Sequence, residues 1–437
     1  MSWKIVALAG PHDSYETPTG AEDRVLRVPF NIPGDPDRLQ SSVDEEFVRF
    51  GLEIAPPAED LLNFAIAAYT ADVRVSRQGA FDTWTRDLEL HLFVNDVERW
   101  EACRHAAEEL LSFLTGDHWI LRLRPTPTQY VRQAPKVKEV TPVAMETVSL
   151  FSGGLDSYVG AIDALEGFEQ VALVGHHSQG SGATSKSQAG AISALRKSYP
   201  SDRSPFLQFW LSPPKGESRG SETTTRGRSI LFLGLGIGVA AAMNAKRLIV
   251  PENGFISLNV PLTPSRLGSF STRTTHPHTI HLFRTLLKLL GISVGIELPY
   301  RFRTKGEMLR ESKNQAALVE GLAITMSCAH PEAGRFARMP HQHCGRCVPC
   351  LIRRAAILAA GMADRTSYRH EDLRVDAPGG SGTDMRVMRL ALERFSQHPP
   401  DIRDVLKAGP IPGTDEEKQG YQEVFPRALA EIRTLLQ

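Results

Sequence analysis

Residues 150–160 read LFSGGLDSYVG. The apolar run Val148–Phe151 leads into two adjacent glycines, after which Tyr158, Val159, Ile162 and Leu165 recur at helical spacing. Strand, tight turn and helix in that order make a cradle for phosphate. Gly153 and Gly154 let the backbone approach closely and take positive φ. Ser157 lies at the helix start, where N–H groups and the helix dipole favour an anion. Ser152 and Ser157 add hydroxyl donors. A Walker loop would follow its glycines with a lysine, and a dinucleotide loop would read G-x-G-x-x-G; neither is present. A plain Gly-Gly turn capped by Asp or Ser is the simpler alternative. Here every fixed position of S-G-G-x-D-S is filled behind an apolar strand, which favours phosphate binding.

The surrounding pattern supplies a fold for this loop. Val171–Val174, Phe206–Leu211 and Leu248–Val250 read as further strands. Helical patterns fall between them, around Ala189–Leu195 and along the glycine-broken apolar run 230–243. Alternating strands and helices predict an α/β fold, a doubly wound parallel sheet with right-handed crossovers. Ligands of such sheets bind at the carboxyl ends of strands, where the loop falls. Residues 281–290, 301–327 and 353–360 read as later helices.

The flanking sequence divides the rest. Strand patterns at Lys4–Leu8, Val25–Pro29, Leu88–Val94 and Trp119–Leu123, with helices at Glu59–Tyr69 and Val97–Leu114, predict an N-terminal α+β domain over 1–125. Within it Trp84, Arg86 and Asp87 read as a packing tryptophan beside a surface pair. The proline-rich stretch 126–145 reads as a linker, 146–362 as the loop-bearing domain, and 363–437 as a helical extension with a flexible loop at 376–385.

Composition bounds the setting. The chain has 437 residues, 41% hydrophobic and 23% charged. Lys+Arg and Asp+Glu are both 50, so nothing draws the whole molecule to nucleic acid or an anionic membrane; only a local basic patch would. The longest apolar run, Ile230–Met243, falls short of the ~20 residues of a membrane span. The opening MSWKIVALAG is too short for a secretory signal and reads as a strand. A cytoplasmic protein is expected.

Of five cysteines, Cys103 stands alone and Cys328, Cys344, Cys347 and Cys350 cluster. Cys344-Gly-Arg-Cys347-Val-Pro-Cys350 overlaps two C-x-x-C units. With Cys328 it fits a tetrahedral four-thiolate Zn²⁺ site that leaves no open position, hence a structural one. His330, His341 and His343 lie near enough in sequence for one to replace Cys328.

The loop resembles the pyrophosphate loop of the PP-loop ATPases, the N-type ATP pyrophosphatases, whose fold is of the adenine nucleotide alpha hydrolase-like (HUP) type. The resemblance implies ATP and Mg²⁺ as cofactors and cleavage between the α- and β-phosphates. It also implies that Ser152, Gly153, Gly154, Leu155, Asp156 and Ser157 hold the phosphates. Together with Thr325-Met326-Ser327-Cys328 and Cys344–Cys350, the loop is similar to the 7-cyano-7-deazaguanine synthases over roughly residues 146–360. That family implies adenylation of 7-carboxy-7-deazaguanine and transfer of the acyl group to an amine. Arg228-Ser229 looks like its Arg-Asn/Ser pair beside the nucleotide. The sequence departs from the family in its longer first cysteine spacing and in lacking a Tyr-Pro-Asp-Cys-Arg segment, where it reads Pro251-Glu252-Asn253-Gly254-Phe255. This longer architecture is similar to the synthase-like subunit of Qat-type anti-phage systems. The similarity implies nearby-encoded protein partners and an acceptor that is either ammonia or a partner protein.

The remaining candidates are weighed on chemistry. Asp156, Ser157 and Arg228 are the catalytic candidates. His176, with His177, ends the second strand, either against adenine and ribose or as a capped strand end. Glu252, Asn253, Asn259 and Arg273, with His276, follow the fourth strand. There Glu252 and Asn253 have the carboxylate and amide groups to read a purine edge, or Asn253-Gly254 is only a turn. Arg301, Arg303, Lys305, Arg310, Arg346, Arg353 and Arg354 make a basic stretch that could touch substrate phosphates or a nucleic acid, but a solvated helical face is the favoured reading. Two other functions stand beside the ligase reading. A tRNA-modifying sulfur transferase would need a free cysteine near the nucleotide. A non-catalytic subunit of a defence complex would not need Asp156.

Overall fold

The computed structural model describes residues 2–10, 12–20, 23–30, 39–127, 144–178, 182–214, 222, 226–262, 273–330, 342–374 and 380–437. Most of the expected linker and His341 lie outside them.

Two sheets organise the chain. The first carries β1 (Ser2–Leu8), β2 (Arg24–Pro29), β4 (Asp87–Val94) and β5 (His118–Pro125) in the order β2-β1-β4-β5. All three pairings are parallel, so the N-terminal segment is α/β in character, where α+β was expected. The chain passes from β2 to β4 through the helix Pro56–Arg74 and from β4 to β5 through the helix Val97–Thr115, crossovers that suit parallel pairing.

The second sheet has six strands in the order β10-β9-β6-β7-β8-β3. Here β6 is Thr147–Leu150, β7 Val171–Ser178, β8 Phe206–Ser212, β9 Arg247–Ile249 and β10 Gly295–Glu297. These five are parallel. The edge strand β3 (Gln40–Ser41) arrives from the N-terminal segment and pairs antiparallel with β8. The first strand of this half, β6, lies between β7 and β9, so the crossovers leave it in opposite directions. Its carboxyl end is the topological switch point, and Ser152–Ser157 begins there.

One hydrophobic core runs through both sheets, from Trp3 and Ile5 through Leu62 and Phe64 to Leu235 and Leu248. The apolar helix Gly227–Ala242 is buried between them, with Gly234 against Ala65 of the helix Pro56–Arg74. A second core covers the opposite face of the six-stranded sheet, from Tyr158 to Leu318 and Ile357. A third joins the C-terminal helices Gly380–Gln397 and Asp415–Leu436 to Phe255 and Leu351. The loop expected at 376–385 is helical from Gly380 onward; 376–379 lie outside the described residues.

The Trp84 region differs from its sequence reading. Arg86 is no surface residue: it is fully buried, donating to Asp72 at 2.7 Å and to Asp117 at 3.1 Å. Two buried carboxylates draw it inward, and Arg77 and Arg226 each lie over the Trp84 ring, 4.9 and 4.8 Å from its centroid. No helix among the described residues is long and apolar enough to cross a membrane.

Candidate active site

The loop folds as its residues dictate. Gly153 takes φ +81, and a Cβ there would come within 2.9 Å of the Gln188 side chain, so glycine is required on both counts. Its carbonyl accepts from Met326 N at 2.9 Å and Ser187 Oγ at 3.2 Å. Ser152 Oγ and Ser157 Oγ lie 3.2 Å apart at the mouth of the turn, and the helix Leu155–Gly167 starts between them. Leu155 N donates to Ser327 Oγ at 3.3 Å. The Thr325–Cys328 motif is therefore folded directly onto the loop, 172 residues away in sequence.

A pocket of about 530 Å³ opens in front of the loop. Ser152, Gly154, Leu155, Asp156 and Ser157 form one wall, Arg228 and Ser229 a second, and Glu252, Thr274 and Thr275 a third. Lys305 and the segment Met326–Ala329 close it. The sequence-predicted loop, Arg228 and Glu252 thus meet at one site.

Two cations serve this pocket. Arg228 donates to the carbonyl of His176 at 3.0 Å, which aims its guanidinium along the end of β7. Lys305, 4% exposed, pairs with Asp156 Oδ1 at 2.8 Å. The other oxygen, Asp156 Oδ2, accepts from Asn253 Nδ2 at 2.7 Å. Lys305 was read as part of a solvated face, and so were Arg346 and Arg353, which are 5% and 0% exposed. Arg353 instead ties Thr325 and Thr366 together at 2.9 and 3.0 Å. Sequence reasoning placed these cations together because they are close in the chain. Their side chains point in different directions, and the helix Lys305–Glu311 turns Lys305 alone into the pocket.

Glu252 lies beside that pair and accepts from Thr275 Oγ1. Burial, reinforced by the nearby Asp156 charge, pushes its carboxyl up to about 8. Between its ordinary 4.5 and about 8 the folded chain keeps a proton that the unfolded chain releases, so stability falls as pH rises through that window. The limiting slope for one proton is ~1.4 kcal/mol per pH unit. Glu252→Gln is expected to flatten this slope and to be more stable than wild type at pH 8 in urea melts. Equal slopes for the two proteins between pH 5 and 8 would rule the assignment out.

Other expected site residues are placed elsewhere. The His176 ring is fully buried against Tyr69, with ring centroids 5.9 Å apart, and its side chain does not reach the pocket. The Asn253 side chain holds Asp156 and caps the helix Gly254–Leu258 through Ile256 N at 3.1 Å. Asn259 ends that helix at φ 50. Arg273 stacks on Phe113 at 4.4 Å and donates to its carbonyl at 2.8 Å. Neither Asn259 nor Arg273 lines the pocket. Strand-end position marked these residues in the sequence, but side-chain direction there was not legible. Lys305 was named in the sequence only within a basic stretch for which a solvated face was favoured over contact with phosphates, and Ser327 only inside the quoted Thr325–Cys328 motif; Thr184 and Ser187 also line the pocket and were not singled out.

Cys328, Cys344, Cys347 and Cys350 bring their sulfurs within 4.8 Å of one another. Cys328 also lines the pocket. Backbone N–H groups of His330 and Cys344 donate to Cys328 Sγ at 3.2 and 3.3 Å, and Cys347 N donates to Cys344 Sγ at 3.3 Å. Donors aimed at sulfur suit thiolates, so the set fits a bound metal ion. His330 and His343 stay outside it. The His343 ring instead accepts from Ser327 N at 3.2 Å, linking the cysteine element to the phosphate loop. Cys103 is buried in the first core, far from any such cluster.

No family model matches the chain. It is 24% identical over 250 residues to a 7-cyano-7-deazaguanine synthase of Methanocaldococcus jannaschii, covering 51% of this chain and 99% of that protein. It is 28% identical over 240 residues to the Cupriavidus taiwanensis enzyme of the same name (52% and 99%), and 27% identical over 238 residues to that of Myxococcus xanthus (51% and 96%). Over about half its length, this chain is a homologue of the 7-cyano-7-deazaguanine synthases.

Proposed function

We propose that this protein uses ATP to adenylate the carboxylate of a 7-deazaguanine, 7-carboxy-7-deazaguanine, and passes the acyl group to an amine. The observation that carries the reading is the S-G-G-L-D-S loop at the switch point, sharing one pocket with Arg228, Lys305 and Glu252. A carboxylate oxygen attacks the α-phosphorus, the α–β bond breaks and pyrophosphate leaves. The amine then attacks the acyl carbon, AMP departs, and the nitrogen loses a proton as the amide forms.

Each residue has a part in this sequence. The N–H groups and hydroxyls of Ser152–Ser157 hold the β- and γ-phosphates. Arg228 and Lys305 offset the charge released with pyrophosphate. Asp156 is the ionised pocket carboxylate that would hold Mg²⁺ entering with ATP, and the ion would supply charge neutralisation there. Glu252, neutral near pH 7, has an O–H to donate to a purine carbonyl. Zn²⁺ in the four-cysteine set would act as a cross-link behind the loop. Such a thiolate cluster belongs in a reducing, cytoplasmic compartment.

The resemblance of its longer architecture to Qat-type subunits supports a role in anti-phage defence, with partners encoded nearby and one of them, or ammonia, as the acceptor. The test is incubation with ATP and 7-carboxy-7-deazaguanine, with ammonia or with the neighbouring gene products. AMP and pyrophosphate are expected, and mass spectrometry of small molecules and proteins identifies the acceptor. No AMP with any acceptor would sink the reading.

A further inference from the structure

The segments on either side of the loop-bearing half reach into it in the same way. From the N-terminal side, Asp72 of the helix Pro56–Arg74 is fully buried, and its Oδ2 accepts from Gly227 N at 2.6 Å. Gly227 is the first residue of the helix that carries Arg228. A Cβ on Gly227 would come within 2.7 Å of the Asp72 side chain, so only glycine leaves that side chain its place. Arg86 holds the other Asp72 oxygen at 2.7 Å, which fixes the carboxylate from behind. Tyr69, one turn earlier, packs on His176, the residue whose carbonyl holds Arg228.

From the C-terminal side, Glu431 of the helix Asp415–Leu436 accepts from Gly306 N at 3.2 Å and from Thr304 Oγ1. These residues flank Lys305, and a Cβ on Gly306 would come within 2.5 Å of Glu431. Arg427 of the same helix donates to Phe302 O at 2.6 Å and pairs with Glu307 at 2.9 Å. The first N–H groups of a helix have no intrahelical acceptor. At both cation-bearing helices a flanking segment supplies one, from a carboxylate that is fully buried at Asp72 and half-buried at Glu431.

We propose that Asp72 and Glu431 are positioning residues, through which the two flanking segments hold Arg228 and Lys305 in place for the phosphates of ATP. The proposal rests on the ATP reading above. It gives the flanking segments a role inside the site, independent of any partner they recruit.

The test uses the full chain and a non-hydrolysable ATP analogue, with affinity from calorimetry and stability from thermal melts. Asp72→Asn and Glu431→Gln are each expected to weaken analogue binding about tenfold, the effect of one charge-assisted hydrogen bond. In an Arg228→Ala background, Asp72→Asn is expected to cost no further affinity, while its effect on melting persists. The same holds for Glu431→Gln in a Lys305→Ala background. Wild-type affinity in both single variants, or affinity losses that add fully in the double variants, would overturn the proposal. If Asp72→Asn does not fold, the Glu431 arm decides alone. A wild-type protein that binds no analogue would overturn the ATP reading itself, which separates the two failures.

Discussion

Asp156→Ala is expected to lower ATP-dependent AMP formation about 10²–10³-fold, the scale of losing one preorganised charged group at a reacting centre. The reason is the charge balance of the pocket. Arg228 and Lys305 are cations, Asp156 is an anion, and Glu252 is held neutral near pH 7 by burial. Removing Asp156 leaves more net positive charge beside the phosphates, so the anion itself should still bind. What is lost is the one ionised carboxylate that can hold Mg²⁺ and keep the Lys305 ammonium directed. The loss should therefore appear in kcat with ATP affinity preserved. Single-turnover AMP release and analogue titration on the same preparation read the two quantities. A large rise in the analogue Kd with unchanged kcat would assign Asp156 to binding instead.

Cys347→Ser, or removal of the metal by a strong chelator, is expected to lower the melting temperature by about 10 °C and to abolish activity, as for structural zinc sites whose binding energy is folding energy. Cys347 is fully buried and is the N-cap of the helix Val348–Ala359. That helix packs Leu351 into the third core and Ala356 and Ile357 into the second. Cys328 follows Ser327, which accepts from the loop at Leu155 N. Losing the cross-link therefore loosens a core and the phosphate loop together. Metal analysis should find one zinc per chain in the wild type and a substoichiometric amount in the variant. An unchanged melting temperature after complete metal removal would show that the cysteines carry no structural load.

Much of this was legible in the sequence, and for identifiable reasons. A parallel strand buried on both faces is apolar throughout, so Val171–Val174 announced itself. The short strand Gly295–Glu297 did not, because three residues carry no periodicity. The antiparallel edge strand Gln40–Ser41 escaped for the same reason.

The sequence by itself determined the chemistry that depends on local spacing. It placed two glycines and two serines between a strand and a helix, and three cysteines in two overlapping C-x-x-C units. Both are settled over a few residues by backbone geometry and ligand reach. Only the tertiary structure decided which charged side chains face the pocket. Lys305 enters while Arg303 pairs with Glu311 at the surface, and His176 turns away while its carbonyl holds Arg228. Those directions depend on helix starts fixed by Asp72 and Glu431, 155 and 125 residues away in the chain. A buried charge goes where its partner is, and no local pattern records a partner that distant.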